Sequence, residues 1–550
     1  MPEPRIAAAS TTAPFSVEPL DEHNRALLAN VHPAGWINPQ PAPRYHLVVV
    51  GAGTAGLVSA AGAAGLGARV ALVERHLMGG DCLNVGCVPS KAVLRAARSW
   101  AEARRSAAHF GGPPATGEGS FGAAMERMRR LRAGISPHDG AERFRGLGID
   151  LFLGNGRFVA PDAVEVDGRR LHFRRAVIAT GARAAVPPIA GLAAAGYRTN
   201  ETIFNLTVLP PRLAVLGCGP IGCELAQAFA RFGSEVTLVG RSAQLLPRED
   251  ADAATIVAAA LARDGVHLEL GVEATAVRRE GAGKVLTIAS TGAVGATGGA
   301  TPQGGRELAV DEILVATGRQ PNVEGLGLAA AGVRYGAGGV EVDDRLRTGN
   351  PRIYSCGDVA SRSCGDVASR SCGDVASRSC GDVSSRFQFT HVADAQARLV
   401  IQNALFFGRG KASALTVPWC TYTSPEVAHV GLYEREARDR GIAVDTLTVP
   451  LADNDRAVLD GEDEGFLRIH LERGGDRILG ATLVAEHAGD MLGELCLAIT
   501  QGIGLGSIAG VIHPYPTQAE VVKKAADTWR RGKLTPRVRK LFGWWFRIFS

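Results

Sequence analysis

The sequence predicts an α/β protein, two doubly wound parallel-sheet domains followed by a smaller α+β unit. Three observations predict it. A strand, glycine turn, helix, strand succession runs from HLVVV through Gly51-Ala-Gly53-Thr54-Ala55-Gly56 to RVALVE, and it returns as RLAVL, Gly217-Cys-Gly219-Pro-Ile221-Gly222 and SEVTLVG. Two later segments, RRAVIATG and DEILVATG, each end a strand in a Thr-Gly turn. After Lys411, VPWCTYTSPEVAHVGL leads into strand-like segments (GFLRIHL, ILGATLVA) that alternate with helices.

The composition sets the frame. At 550 residues the chain is too long for one core, and 46% hydrophobic with 21% charged residues is the balance of a soluble globular protein. A net charge of +5 is small for this length and gives no reason to expect a nucleic-acid partner. No apolar run reaches the ~18 residues that span a bilayer. The N-terminus MPEPRIAAASTTAPF lacks an apolar core followed by a cleavage site, so a cytoplasmic location is expected. Residues 1–43, rich in Pro and Ala, read as an arm laid on the surface or partly disordered.

The first glycine loop has the grammar of a Rossmann-like dinucleotide-binding site. Gly51 makes the tight turn, Gly53 lets backbone approach a pyrophosphate, and Gly56 permits close helix–strand packing. The helix that follows, starting near Thr54 and Ala55, presents free N–H groups to phosphate. Glu74 ends the next strand, where its carboxylate can accept hydrogen bonds from a ribose. Gly217, Gly219, Ile221 and Gly222 repeat the site. Its second strand ends in Gly240-Arg241, where an acid would repel a 2′-phosphate and an arginine attracts one. Arg241, assisted by Arg248, therefore points to NADPH, with NADH as the alternative.

After Glu74 comes Gly79-Gly80-Asp81-Cys82-Leu-Asn-Val-Gly-Cys87-Val-Pro89-Ser-Lys91. In a regular helix, positions five apart are separated by ~7.5 Å along the axis, whereas a disulfide needs Cα atoms ~4.4–6.8 Å apart. Cys82 is thus expected in a distorted segment leading into the helix, with Pro89 in an early turn. A thiol at a helix start beside Lys91 is expected to ionise easily.

GGDCLNVGCVPSK resembles the active-site signature of the flavin disulfide reductases, which include glutathione reductase, dihydrolipoamide dehydrogenase and mercuric reductase. The resemblance runs from about Tyr45 to about Trp529. It implies FAD, a nicotinamide cofactor, a homodimer, and electron flow from NAD(P)H through FAD to a Cys82–Cys87 redox disulfide. Cys87 would face the flavin and Cys82 would exchange with substrate. Lys91 would sit near the flavin and pair with Glu224 in GCGPIGCELAQ. The resemblance also implies cofactor contacts at Gly80, Asp81, Gly156, Ala179, Thr180, Gly181 and Gly318.

The domains expected on this basis are an FAD domain over 44–200 and 345–412, an NAD(P) domain over 201–344, and an interface domain over 413–529. Residues 355–386 are four tandem eight-residue copies, SCGDVASR three times and then SCGDVSSR. The family carries one such element, whose carboxylate holds the FAD ribitol. Asp358 in the first copy follows the strand PRIY and is the candidate; Asp382 adjoins FQFTHVADAQAR and is the rival. The extra copies read as a looped-out duplication, and the cysteine spacing matches no zinc pattern. No structural metal is expected.

His513-Pro-Tyr515-Pro-Thr517-Gln-Ala-Glu520 falls where the family places residues that reach the partner subunit's active site. Alignment on Pro516, Thr517 and Glu520 puts Tyr515 at the catalytic histidine's position, and a phenol of pKa ~10 cannot serve as a neutral-pH base. Mercuric reductase carries a tyrosine there, and GRSAQLLPRED also resembles that branch, although no cysteine follows Cys496 to form the usual terminal pair. Hg(II) at Cys82 and Cys87 is therefore the leading acceptor. A lipoamide, glutathione or quinone reductase is the alternative, and a redox-sensing flavoprotein without turnover is a reading of another class. Residues 530–550 hold seven basic residues, no acids, and Trp544, Trp545, Phe546 and Phe549 among their aromatics. Aromatics packed on the protein's own dimer are the favoured reading of this tail, and a peripheral membrane contact is the other.

Overall fold

A computed structural model describes residues 16–116, 119–291, 305–362 and 388–549. The chain divides into two compact units, one of residues 1–96, 118–210 and 311–415, the other of residues 97–117, 211–310 and 416–550.

The first unit is built on a parallel sheet in the order Asp150–Leu153, Val70–Glu74, Tyr45–Val50, Arg169–Ile178 and Ile353–Ser355. These strands are covered on both faces, so they read as continuous apolar runs such as LVVV and VALVE. Strand Arg169–Ile178 does double duty. Its first half pairs antiparallel with the hairpin strand Ala163–Val166, and its second half enters the parallel sheet beside Tyr45–Val50. Register aligns the carboxyl ends: Val50 lies opposite Val73 and Ile178, and Ile178 lies opposite Ser355. Gly51, Glu74, Ala179 and Cys356 therefore all leave the sheet at one edge, where open α/β sheets bind ligands.

More of the N-terminal segment is built in than its Pro and Ala content suggests. Helix Glu22–Val31 is capped by Asp21 and buries Asn24, Leu27 and Val31. It packs on helix Phe121–Ile135, where Arg129 pairs with Asp21 at 2.5 Å. Trp36 and Asn38 then donate to the carbonyls of Leu151 and Leu153, so the arm closes over the strand at the sheet's edge.

In the second unit, strands Arg212–Leu216, Glu235–Gly240 and Val266–Leu270 are parallel, with helix Pro220–Phe232 following the second glycine turn. Pro220 occupies the first helical position, where its missing N–H costs nothing. The last part of the unit is an antiparallel sheet in the order Pro418–Thr421, Glu426–Gly431, Ile478–Ala485, Phe466–Glu472, Val444–Pro450. Helix Glu520–Gly532 buries Val521, Val522, Ala525 and Ala526 in its core. Both parts follow the α/β and α+β architecture expected from the sequence.

Candidate functional site

The glycine loop after strand Tyr45–Val50 is closed too tightly for any side chain. A Cβ on Gly56 would lie 1.8 Å from the Gly51 carbonyl oxygen, and Gly51 itself has φ +102° with the Ala179 carbonyl 2.4 Å from where its Cβ would be. Gly53 caps helix Thr54–Gly65, which begins with Thr54, Ala55 and Gly56 and therefore aims its N-terminus at the sheet's ligand edge. The buried Glu74 carboxylate locks this loop, accepting from the Ala52 N–H at 2.6 Å and the His76 N–H at 2.7 Å. Burial pushes its pKa up, against the pull of those two bonds. Gly156 packs over the same edge; a Cβ there would meet Val73 Cγ1 at 2.8 Å.

Opposite this loop stands Gly79-Gly80. Both have positive φ, and a Cβ on Gly80 would lie 2.6 Å from Gly53 Cα. Two glycine segments thus face each other with no side chain between them, a cradle that fits the flat, close-approaching backbone contacts of a dinucleotide. Acids and a cation complete it. Arg319 pairs with Asp81 at 3.2 Å and with Asp358 at 3.3 Å, and Asn200 donates to Asp81 at 2.9 Å. Burial raises the pKa of Asp358, while Arg319 opposes the shift. The two Thr-Gly turns meet here as well. Asn322, four residues after Gly318, bonds to Thr180 through its carbonyl and side chain and to the Gly181 carbonyl through its N–H. Gly318, which falls within the expected NAD(P) range 201–344, lies in the same compact unit as Thr180 and Gly181.

The two cysteines lie on separate helices. Cys82 is in the five-residue helix Gly80–Asn84, and Cys87 is the first residue of helix Cys87–Phe110. The break at Val85-Gly86 brings the two thiols close enough to shift each other's ionisation, which one continuous helix would prevent. Buried Arg132 holds the short helix by donating to the Asn84 carbonyl at 2.6 Å. Cys87 is exposed, and its Sγ lies 3.3 Å from Thr390 Oγ1, at the start of helix Thr390–Leu405. The neighbouring Cys82 thiol, then Thr390 and the Lys91 charge, outweigh desolvation by the surrounding protein and bring Cys87 down to about 6. The Cys82 thiol moves the opposite way, raised first by its interaction with Cys87. Sequence reasoning missed Thr390 and Arg319. Arg319 had a readable signal, a cation directly after the ATG turn; Thr390 had none, because its nearness to Cys87 spans 303 positions of chain.

In the second unit Gly217 and Gly222 repeat the tight closure, a Gly222 Cβ falling 1.9 Å from the Gly217 carbonyl oxygen. Gly219 caps helix Pro220–Phe232, and Ile221 is partly exposed at its start. Gly240 is glycine for a local reason, since a Cβ would lie 2.8 Å from Cys218 Sγ. Arg241 is largely exposed and pairs with Glu273 at 3.2 Å. Glu224 is buried and accepts from the Tyr422 N–H at 2.9 Å.

This pairing of a glycine cradle with an activated dithiol is matched in known proteins. Residues 45–397 match the pyridine nucleotide-disulphide oxidoreductase family and residues 417–526 match its dimerisation domain. The chain belongs to this family. As a pyridine nucleotide-disulphide oxidoreductase it is a flavoprotein of a group that uses FAD and NAD(P)H. Mercuric reductase of Streptomyces lividans is 34% identical over 491 residues, covering 88% of this chain and 96% of its own. Mercuric reductase of Bacillus cereus is 33% identical, covering 88% and 71%. Dihydrolipoyl dehydrogenase of Thermus scotoductus is 31% identical, covering 88% and 97%. Among solved structures, the Cu(II) complex of the HOCl-induced flavoprotein disulfide reductase RclA from Escherichia coli is similar at TM-score 0.73 and 26% identity, covering 88% of this chain and all of that one. LpdA from Mycobacterium tuberculosis is similar at TM-score 0.75 and 26% identity, covering 88% and 99%.

In the dimerisation domain, Tyr515 is exposed and its hydroxyl donates to Asp455 at 3.0 Å. That bond and the Asp455 charge raise the phenol's pKa further. Glu520 opens helix Glu520–Gly532 with one carboxylate oxygen buried and unbonded among the described residues. His513 Nε2 lies 3.0 Å from Glu494. The rest of the repeat, with Asp382, lies outside the described residues. Among the described residues no helix is long and apolar enough to cross a membrane.

Proposed function

We propose that this flavoprotein disulfide oxidoreductase uses NADPH to reduce Hg(II) at the Cys82–Cys87 dithiol. The observation that carries the reading is Cys87, a thiol at about 6 that neighbours Cys82 and lies 3.3 Å from Thr390 Oγ1, in a chain whose position 515 is a phenol. The cradle of Gly51, Gly53, Gly56 and Gly80, with Glu74, Asp358 and Arg319, would hold FAD. When bound, FAD relays two electrons from the nicotinamide to the thiol pair.

Soft Hg(II) takes two thiolates. Cys82, the substrate-exchanging thiol, displaces one thiolate ligand from a dithiol-bound ion, and the proton it gives up goes to the departing ligand. Cys87, ionised at neutral pH on the flavin side, then displaces the second. Net turnover is Hg(II) + NADPH → Hg(0) + NADP⁺ + H⁺. Lys91 supports the Cys87 anion. Glu224 keeps the start of helix Pro220–Phe232 tied to the Tyr422 backbone. Arg241 releases Glu273 to take a 2′-phosphate, which is cheap because an exposed pair contributes little. We further propose a homodimer in which Tyr515 and Glu520 reach the partner's thiol pair, with the domain division 44–200 plus 345–412, 201–344 and 413–529.

A disulfide acceptor is the second reading. The His513–Glu494 pair favours it, because a carboxylate-supported imidazole two residues before Tyr515 is a possible base. The experiment is NADPH oxidation with Hg(II) in excess thiol, run beside lipoamide, glutathione disulfide, a quinone and Cu(II), with Cys87→Ser as control. Rapid Hg(II)-dependent turnover lost in the variant is the expected result. Turnover with another acceptor alone moves the assignment to that acceptor, and none with any marks a redox-sensing protein.

A further inference from the structure

Helix Glu520–Gly532 hides its apolar face in the core of its unit, but the helix after it does not. Pro536–Phe549 buries no residue. Trp544 and Trp545 are 59% and 51% exposed, Phe546 and Phe549 66% and 67%. At 3.6 residues per turn, Leu541, Phe542, Trp545 and Phe549 share one face, with Phe546 at its margin. The Trp545 and Phe549 rings stand 4.2 Å apart along that face. Arg537 and Arg539 flank that face on its two edges, Lys540 and Arg547 fall on the opposite side, and 530–550 holds seven basic residues and no acid. A contiguous aromatic face of this kind marks an interaction surface.

Charge decides what covers it. Two copies meeting through this face about a twofold axis would bring the flanking Arg537 and Arg539 of one copy close to those of the other. An anionic bilayer meets both faces at once: aromatics enter the interface between headgroups and acyl chains, and the basic face stays among the headgroups. We propose that Pro536–Phe549 lies in the surface of anionic phospholipid membranes and docks the enzyme there peripherally. The sequence favoured a tail packed on the protein's own dimer; the exposure of the helix and the arginines along both edges of its aromatic face reverse that preference.

The test is co-sedimentation of the full-length FAD-loaded protein with phosphatidylcholine vesicles, with and without one-third phosphatidylglycerol, at low ionic strength. Binding to the anionic vesicles alone, with a blue shift of tryptophan emission, is expected. Each basic residue near the surface contributes about fivefold, so the triple variant Arg539→Gln, Lys540→Gln, Arg547→Gln weakens partitioning on the order of 100-fold. Trp545→Ser weakens it separately, and NADPH oxidation in solution holds at the wild-type rate in both. The proposal is overturned if the wild type stays in the supernatant, or if both variants bind as the wild type does. It is overturned equally if deleting 536–549 dissociates the dimer, since the helix would then cover its own protein.

Discussion

Cys87 can be titrated directly, and Cys82→Ala is the perturbation that tests why it ionises early. The neighbouring Cys82 thiol is the largest influence holding Cys87 at about 6, ahead of Thr390 and Lys91. Removing Cys82 therefore moves the midpoint up toward the ~8.5 of an ordinary cysteine, and Thr390→Val moves it up by less. Because the folded thiol is shifted down, its reactivity is retained above the midpoint and lost as pH falls through about 6. The assay is iodoacetamide alkylation of the reduced protein across the range from about pH 5 to 9. Peptide-resolved mass spectrometry separates Cys87 from the other cysteines.

The acid side decides. At pH ~5.5 a thiol titrating at about 6 is about one-quarter ionised, and one at ~8.5 about one part in a thousand, a ratio of roughly 240. The lower-pKa thiolate is the weaker nucleophile, with a Brønsted slope of ~0.4–0.5, which removes about 13-fold and leaves roughly 15- to 20-fold. Near pH 7 the same two effects almost cancel, to about twofold. A wild-type profile rising only near ~8.5, and unmoved by Cys82→Ala and Thr390→Val, would refute the reasoning.

Three further outcomes follow from the geometry. Arg241→Glu removes a charge-assisted bond to a 2′-phosphate, contributing ~1.5–3 kcal/mol, so kcat/KM for NADPH falls on the order of tenfold to a hundredfold while that for NADH holds; equal losses with both cofactors would mean Arg241 is structural. Asp358→Asn weakens FAD retention during gel filtration and Asp382→Asn does not, and the reverse pattern would assign the last repeat copy to the site. Gly80→Ala drives a methyl into Gly53 at 2.6 Å, so the purified protein carries little FAD at normal expression; full flavin content would show that the cradle yields.

What could be read in advance was local. The glycine loops at Gly51 and Gly217, the acid at Glu74 and the thiol pair are short-range patterns whose physical demands fall within a turn or a helix start. The parallel sheet follows from unbroken apolar runs. Residues brought together by topology were not readable: Arg319 reaches Asp81 and Asp358 only because the two Thr-Gly turns lie side by side. The break at Val85-Gly86 was legible as a requirement, since a continuous helix cannot join the cysteines, but its form as two separate helices was not. The N-terminal arm misled for a related reason. Its Pro- and Ala-rich composition hides Leu27 and Val31, whose burial depends on helix Phe121–Ile135 far along the chain.

The choice between a metal ion and a disulfide rests on Tyr515. Disulfide exchange needs a base that takes a thiol proton at neutral pH, and a phenol raised by Asp455 cannot do so. Metal capture lets the departing ligand carry that proton. Tyr515→His therefore isolates the difference: Asp455, 3.0 Å from the present hydroxyl, would support an imidazole of ordinary pKa ~6.5. General-base catalysis contributes ~10²–10⁴-fold when well placed, so even a poorly aligned histidine should raise NADPH-dependent disulfide reduction by at least about tenfold over the wild type. If the variant gains nothing while Hg(II) turnover persists, the missing base is not what separates the two chemistries. The discrimination would then lie in access to the Cys82–Cys87 pair itself.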